Sequence, residues 1–331
     1  MTKRDILKTA LKNIQPQKTP YFIYFTDEAR EQYADRLFHD FAEKKVIQDY
    51  SAGRIGPFEA ISLAIGNYVH RFSPPWWNWF ELPEEYSRSH ATPGYLPKTI
   101  GTGSYEKFID HIKYIRDNYD VYILVSIYGC HFEKAYGCRG LENFLADIGT
   151  EPEFVSKLLG KIIQKNLVMI ENIVAHPEID GILLGSDWGT QKSLFMSPGT
   201  WEEFIAPGEQ AEFDLINEYG KDVWIHSCGN IAPLIPRLIE MGMRVLNPVQ
   251  PECMDIYDLK NKYGDKITFW GGISTQITLP YGSPDDVKAE TKHVIGELGK
   301  NGGYITSPAQ DIQHDVPYEN IISLLEVAIE G

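Results

Sequence analysis

The sequence is short of cysteine, of basic residues and of long apolar runs, and each shortage removes a class of protein. Four cysteines in 331 residues (Cys130, Cys138, Cys228 and Cys253) are too few and too dispersed for a disulfide framework. Reduced thiols in the cytoplasm are the expectation. Lys and Arg number 31 against 46 Asp and Glu, for a net charge of −15. No basic run offsets that balance, so nucleic acid is not an expected partner. No apolar run approaches the roughly 20 residues that cross a bilayer, so no membrane association is expected. The opening stretch, MTKRDILKTALKNIQPQ, lacks the apolar centre of a secretory leader and reads as an amphipathic helix. Internal repeats and low-complexity linkers are also missing.

What is present is alternation. From about residue 119, short β-rich apolar runs alternate with helical periodicity. The runs are VYILVSIYG (121–129), GILLGSD (181–187), DVWIHSCG (222–229), RVLNP (244–248), ITFWGG (267–272) and GYITSP (303–308). Helices are expected over about 130–149, 151–176, 197–220, 231–242, 255–263, 284–299 and 317–329, with Ser197-Pro198 as an N-cap and N1 pair. Apolar strands separated by helices indicate a buried parallel sheet, either doubly wound or closed into a barrel. Residues 1–100 differ: helices over 2–13 and 27–44, a strand at YFIYFT (21–26), and an aromatic stretch, FSPPWWNWFELPEEY (72–86). The expected organisation is an N-terminal helical and aromatic segment (1–100) packed on a barrel region (101–331), one structural domain overall.

In parallel α/β folds the chemistry lies at the carboxyl ends of the strands. That rule selects Tyr128 and Cys130, Asp187, His226 and Cys228, Asn247 and Gln250, and the segment 307–311. His226 and Cys228 stand first. Residues i and i+2 of a strand share a face, so WIHSCGN presents imidazole and thiolate side by side, the ligand types zinc prefers. Gln310, Asp311, Asp187 and Cys253 compete for a third ligand. An alternative is a buried cysteine beside a hydrogen-bonded histidine, with no metal. Cys130 and Cys138 read as core or loop thiols, and His131 and His314 as solvated side chains. Trp76, Trp77, Trp79 and Phe80 form either an anchoring loop or an apolar lid over a planar substrate.

The segments FEKAYGCRGLENFLAD, GSDWGTQKSLFMSPGTWEEFIAP and WIHSCGNIAPLIPRLIEMGMRVLNPVQPE through GGYITSPAQDIQHDVPYENI resemble the uroporphyrinogen decarboxylase superfamily over most of residues 120–330. The resemblance implies an α/β fold, a (β/α)8 TIM barrel with a mainly helical N-terminal extension. Decarboxylases of that superfamily carry an R-Q-A-G-R segment near the N-terminus, whereas Arg4, Arg30, Arg36, Arg54, Arg71 and Arg88 are scattered here. The sequence is closer to the cobalamin-dependent methyltransferase branch, above all the methyltransferase components of O-demethylase systems, which place H-x-C at the same strand end. That likeness implies a methyltransferase moving a methyl group from a small methylated donor, an aryl methyl ether in the first instance, to the Co(I) of a corrinoid protein. Zinc would sit on His226, Cys228 and Gln310, where the branch often has Cys; Asp187 or Asp311 is the alternative third ligand. Asp187, Tyr128, Asn247 and Gln250 become catalytic candidates, and Trp76, Trp77, Trp79 and Trp188 the substrate pocket. The corrinoid would be carried by a partner, since no D-x-H-x-x-G stretch occurs, and family habit implies a homodimer. A metal-free decarboxylase or lyase of a small carboxylic acid, and a non-catalytic corrinoid or ligand binder, are the competing readings.

Overall fold

The computed structural model describes residues 1–74, 105–127 and 130–331. Tyr128, Trp76, Trp77, Trp79 and Phe80 lie outside them. In chain order the elements are α1 (Lys3–Leu11), α2 (Asp27–Phe41), α3 (Lys44–Ser51), α4 (Pro57–Ala64), β1 (Val69–Phe72), α5 (Tyr105–Asn118), β2 (Tyr122–Ile127), α6 (His131–Arg139), α7 (Leu141–Thr150), α8 (Pro152–Val174) and β3 (Gly181–Gly185). There follow α9 (Pro198–Phe204), α10 (Ala206–Glu218), β4 (Asp222–His226), α11 (Ile235–Met241), β5 (Val245–Val249), α12 (Ile256–Tyr263), β6 (Thr268–Ile273), α13 (Thr278–Tyr281), α14 (Pro284–Leu298), β7 (Tyr304–Pro308) and α15 (Tyr318–Glu330). Strand then helix, with each registered strand pair parallel, is the TIM-barrel-like α/β topology expected from the sequence. None of the described helices is long and apolar enough to cross a membrane.

The chain divides into two compact units. The first holds residues 1–70, 119–122 and 245–331; the second holds 71–118 and 123–244. In the second unit, β2 pairs with β3 (Leu124 opposite Gly181) and β3 with β4 (Gly181 opposite Asp222, Gly185 opposite His226). β2 and β3 are buried along their whole length, as strands of a parallel sheet covered on both faces are; hence their unbroken apolar sequence. At the amino end of this sheet Asp180, almost fully buried, binds the Arg116 guanidinium and accepts the Ile123 N–H at 3.0 Å. Asp180→Ala removes the carboxylate of that ion pair and the acceptor of the Ile123 N–H. It is expected to cost about 3–5 kcal/mol, read as a shifted urea midpoint at unchanged slope.

In the first unit, β6 pairs with β5 and β7. The expected strand 21–26 is not a continuous strand. Tyr21 and Phe25 make isolated parallel bridges to Thr306 and Ile312. The ladder breaks for a chemical reason: Thr306 N–H donates to the Pro20 carbonyl at 2.9 Å, but two residues on Pro308 has no N–H to give Phe22. The Trp270 indole N–H fills that gap, donating to the Phe22 carbonyl at 3.0 Å. On its other side the segment receives the Tyr68 N–H on the Tyr21 carbonyl at 3.1 Å.

Three expected helices are also divided. The one over 197–220 breaks at Ile205 because Pro207 begins a new helix, α10. Its start is as expected, Ser197 Oγ accepting the Thr200 N–H at 3.0 Å ahead of Pro198. The helix over 27–44 stops at Phe41, where Ala42 is extended. The helix after β2 breaks at Gly140, which has φ +81°, a conformation glycine accepts without steric cost.

Candidate metal centre at the strand ends of the second unit

The register fixes the site. Gly185 lies opposite His226, so two residues further on Asp187 lies level with Cys228. Asp187 Oδ1 accepts the Cys228 backbone N–H at 2.7 Å. Because Cys228 is two residues beyond His226, its thiol comes to the same side, and Sγ lies 3.3 Å from His226 Nε2. Asp187 Oδ1 stands 3.8 Å from that same nitrogen. The three ligand atoms lie within 4.8 Å of one another, and all three residues are partly exposed.

Glycines let the two loops meet. Gly229 has φ +80°, and a Cβ there would sit 2.5 Å from the Thr190 carbonyl oxygen; a Cβ on Gly189 would sit 2.7 Å from the Cys228 carbonyl oxygen. Asn230 N–H donates to the Thr190 carbonyl at 2.8 Å, and Trp188 N–H to Ser227 Oγ at 3.1 Å. Beyond the turn, Leu194, Phe195, Met196, Ser197 and Asn230 help line a groove of about 530 Å³.

Sequence reasoning missed a carboxyl at this site. Glu133 of α6 accepts the Asp187 backbone N–H at 3.1 Å. Burial, then the Asp187 charge, push its pKa up to about 7; the Tyr136 hydroxyl bonds to it, opposing that rise. Burial and the Glu133 charge push Tyr136 itself up to about 12. The available signal was the i, i+3 spacing of Glu133 and Tyr136 in HFEKAYG, one face of a helix directly after a strand. A carboxyl raised in this way binds more protons folded than unfolded between its ordinary pKa of about 4.5 and about 7. Stability therefore falls as pH rises through that window. Glu133→Gln keeps the acceptor and cannot ionise. It should be more stable than wild type at pH 8 by on the order of 3 kcal/mol and equal to it near pH 4. Parallel pH profiles of the two proteins in urea unfolding would refute this.

The other expected residues are divided between the two units. Trp188, expected in the substrate pocket, has no exposed surface; it packs edge-on against Trp201 with ring centroids 5.4 Å apart and supports the site loop from beneath. His131, expected to be solvated, is completely buried, with Nε2 on the Ile205 carbonyl and Nδ1 facing the carboxylates of Glu209 and Glu212. Cys130 is buried, as expected, and none of the four cysteines forms a disulfide. Asn247, Gln250, Gln310, Asp311 and Cys253 belong to the first unit. There Asn247 Nδ2 donates to the Trp270 carbonyl at 3.2 Å, and the Cys253 thiol lies 3.7 Å from Gln250 Oε1.

One nitrogen, one sulfur and one oxygen donor, partly exposed and converging at strand ends, are the donor set of a borderline divalent ion such as zinc with a coordination position left over. Such a set on parallel β/α architecture is the anatomy of a TIM-barrel enzyme site. The chain belongs to the uroporphyrinogen decarboxylase (URO-D) family, whose sequence profile matches residues 97–330. Over 130 residues it is 28% identical to the methylcobamide:CoM methyltransferase MtaA of Methanosarcina barkeri, a match covering 39% of this chain and 36% of that protein. The matched stretch thus spans about a third of that relative's length. A solved methyltransferase from Methanosarcina mazei has the same fold, with a TM-score of 0.70 at 18% identity, covering 100% of this chain and 99% of that one.

Proposed function

We propose that this protein is a corrinoid-dependent methyltransferase that moves a methyl group from a small methylated donor, an aryl methyl ether in the first instance, to the Co(I) of a corrinoid carried by a partner protein. The observation that carries the proposal is the convergence of Asp187, His226 and Cys228 at adjacent strand ends. The likeness to two methyltransferases supports it. Asp187, His226 and Cys228 would hold zinc, which when bound supplies Lewis-acid polarisation of the leaving heteroatom.

The chain's own residues do the rest. The Asp187 carboxylate fixes the Cys228 backbone, and so the thiol, by its 2.7 Å hydrogen bond. Glu133 fixes Asp187 in turn from α6. Glu133, a largely buried carboxyl beside Asp187, is the proposed proton donor to the departing oxygen. The balance is simple. The cobalt electron pair forms the new bond to carbon, the carbon–oxygen pair leaves with oxygen, and one proton neutralises it. Leu194, Phe195 and Met196 give the adjoining groove an apolar wall suited to an aryl group.

The test is an anaerobic assay with a Co(I) corrinoid and a panel of aryl methyl ethers, methanol, methylamines and methyl thiols. Conversion of Co(I) absorbance to that of methyl–Co(III), with demethylated donor formed in equal amount, is expected for one class. Turnover of a small carboxylic acid with release of CO₂ and no need for corrinoid would replace this reading with the decarboxylase one. The reaction named for the M. barkeri relative runs between a methylcobamide and CoM. It favours a second reading in which the methyl group leaves the corrinoid for a thiol acceptor. Demethylation of methyl–Co(III) by added thiols distinguishes the two directions.

A further inference from the structure

Behind α6 lies a second cluster of potential ligands that the methyl-transfer site does not use. Cys130, Glu209 and Glu212 are all fully buried, and their ligand atoms lie within 4.8 Å of one another. Neither Glu209 carboxylate oxygen has a hydrogen-bond partner, and nor does Glu212 Oε2. Buried carboxylates left this way are costly, and native structures rarely tolerate them without an ion or a shared proton.

His131 sharpens the point. Its Nε2 lies 3.0 Å from the Ile205 carbonyl, an acceptor only, so Nε2 carries the proton. The other nitrogen, Nδ1, has no hydrogen-bond partner and faces Glu209 Oε1 at 3.5 Å and Glu212 Oε1 at 3.8 Å. A lone pair facing two carboxylates requires a cation between them, either a proton on Nδ1 or a metal ion. An imidazole whose far N–H is held by a backbone carbonyl is oriented as metal-bound histidines are. Gly208 makes the approach feasible, since a Cβ there would lie 2.9 Å from His131 Cε1.

The surrounding groups fit a divalent ion. Lys134 Nζ donates to Asn166 Oδ1 at 2.6 Å, and Asn166 Nδ2 donates to Glu212 Oε1 at 2.8 Å, leaving Oε2 of Glu212 over. Without a metal, Lys134 and one proton shared by His131 and Glu209 offset the two carboxylates. A divalent cation that displaces this proton and the Cys130 thiol proton leaves the net charge of the cluster unchanged.

We propose that Cys130, Glu209 and Glu212 form a second, interior metal site of zinc type, with His131 Nδ1 facing its two carboxylates, separate from the site at Asp187, His226 and Cys228. With no exposed surface on any of the four, its role is structural: it ties the start of α6 to α10, as a closed zinc site does.

The test is zinc content by mass spectrometry of the full-length protein expressed with zinc. About two ions per chain are expected for wild type, about one for His226→Ala/Cys228→Ala, and none when Cys130→Ser is added, the closed interior site holding its ion without the open one. A His226→Ala/Cys228→Ala protein that holds no zinc overturns the proposal, as does a zinc in it that survives Cys130→Ser. Either result leaves an imidazolium–carboxylate ion pair as the content of the cluster. Should the triple variant not fold, Co(II) loading of His226→Ala/Cys228→Ala decides the question. A thiolate-to-cobalt charge-transfer band supports the interior site, and its absence excludes Cys130 as a ligand.

Discussion

Replacing Cys228 by alanine should lower methyl transfer by about 10³-fold or more, since several kcal/mol of transition-state stabilisation depend on a polarised leaving atom. The loss should appear in kcat rather than KM, because the interaction strengthens only as the bond to the methyl group breaks. His226→Ala should do the same. The double variant should be little worse than either single one, since ligands of one ion act as a unit. Metal analysis supplies a check independent of activity: the partly exposed ion should be lost from all three. Unchanged transfer rates in Cys228→Ala would remove zinc from the mechanism and return His226 and Cys228 to substrate contacts. Asp187→Asn is a gentler probe. It keeps an acceptor for the Cys228 N–H but is a poorer ligand, so metal affinity should fall while the fold persists.

Gly229→Ala should be the most damaging single-methyl change near the site. It adds a side chain at φ +80°, where a Cβ meets the Thr190 carbonyl oxygen at 2.5 Å and the Gly189 carbon at 2.6 Å. The left-handed conformation and the overlap with backbone together cost about 2–5 kcal/mol. Neither loop can yield freely, because Asn230 N–H is tied to the Thr190 carbonyl and Asp187 to the Cys228 N–H. The expected result is a lowered melting temperature together with lost metal, since Cys228 directly precedes the strained residue. Gly220→Ala provides the comparison: it too has positive φ, at +65°, but nothing lies within 4 Å of its Cβ. A Gly229→Ala protein as stable and as metal-loaded as Gly220→Ala would mean that the two loops are not locked together as described.

Much of this was legible in the sequence, for physical reasons. Strands buried on both faces have no polar side to show, so GILLG and VYILVSI announce a parallel sheet by their continuity. Side-chain alternation along a strand placed His226 and Cys228 together without further information. The Ser197-Pro198 helix start was equally local. Local signals failed where chain continuity was overruled by chemistry elsewhere. The 21–26 run looks like a strand, but Pro308 on its neighbour cannot complete the ladder. The 197–220 run looks like one helix, but Pro207 restarts it.

The sequence by itself therefore determined the architecture and the pairing of His226 with Cys228, because strand and helix periods and i, i+2 geometry are properties of a few consecutive residues. Only the tertiary structure decided that Asp187, rather than any other carboxylate, meets Cys228. That contact spans 41 positions and exists because parallel pairing sets Gly185 against His226. Burial of His131 among Glu209, Glu212 and Cys130 was decided in the same way. A histidine's neighbours in sequence do not reveal that a helix more than 70 residues away carries two carboxylates to its ring.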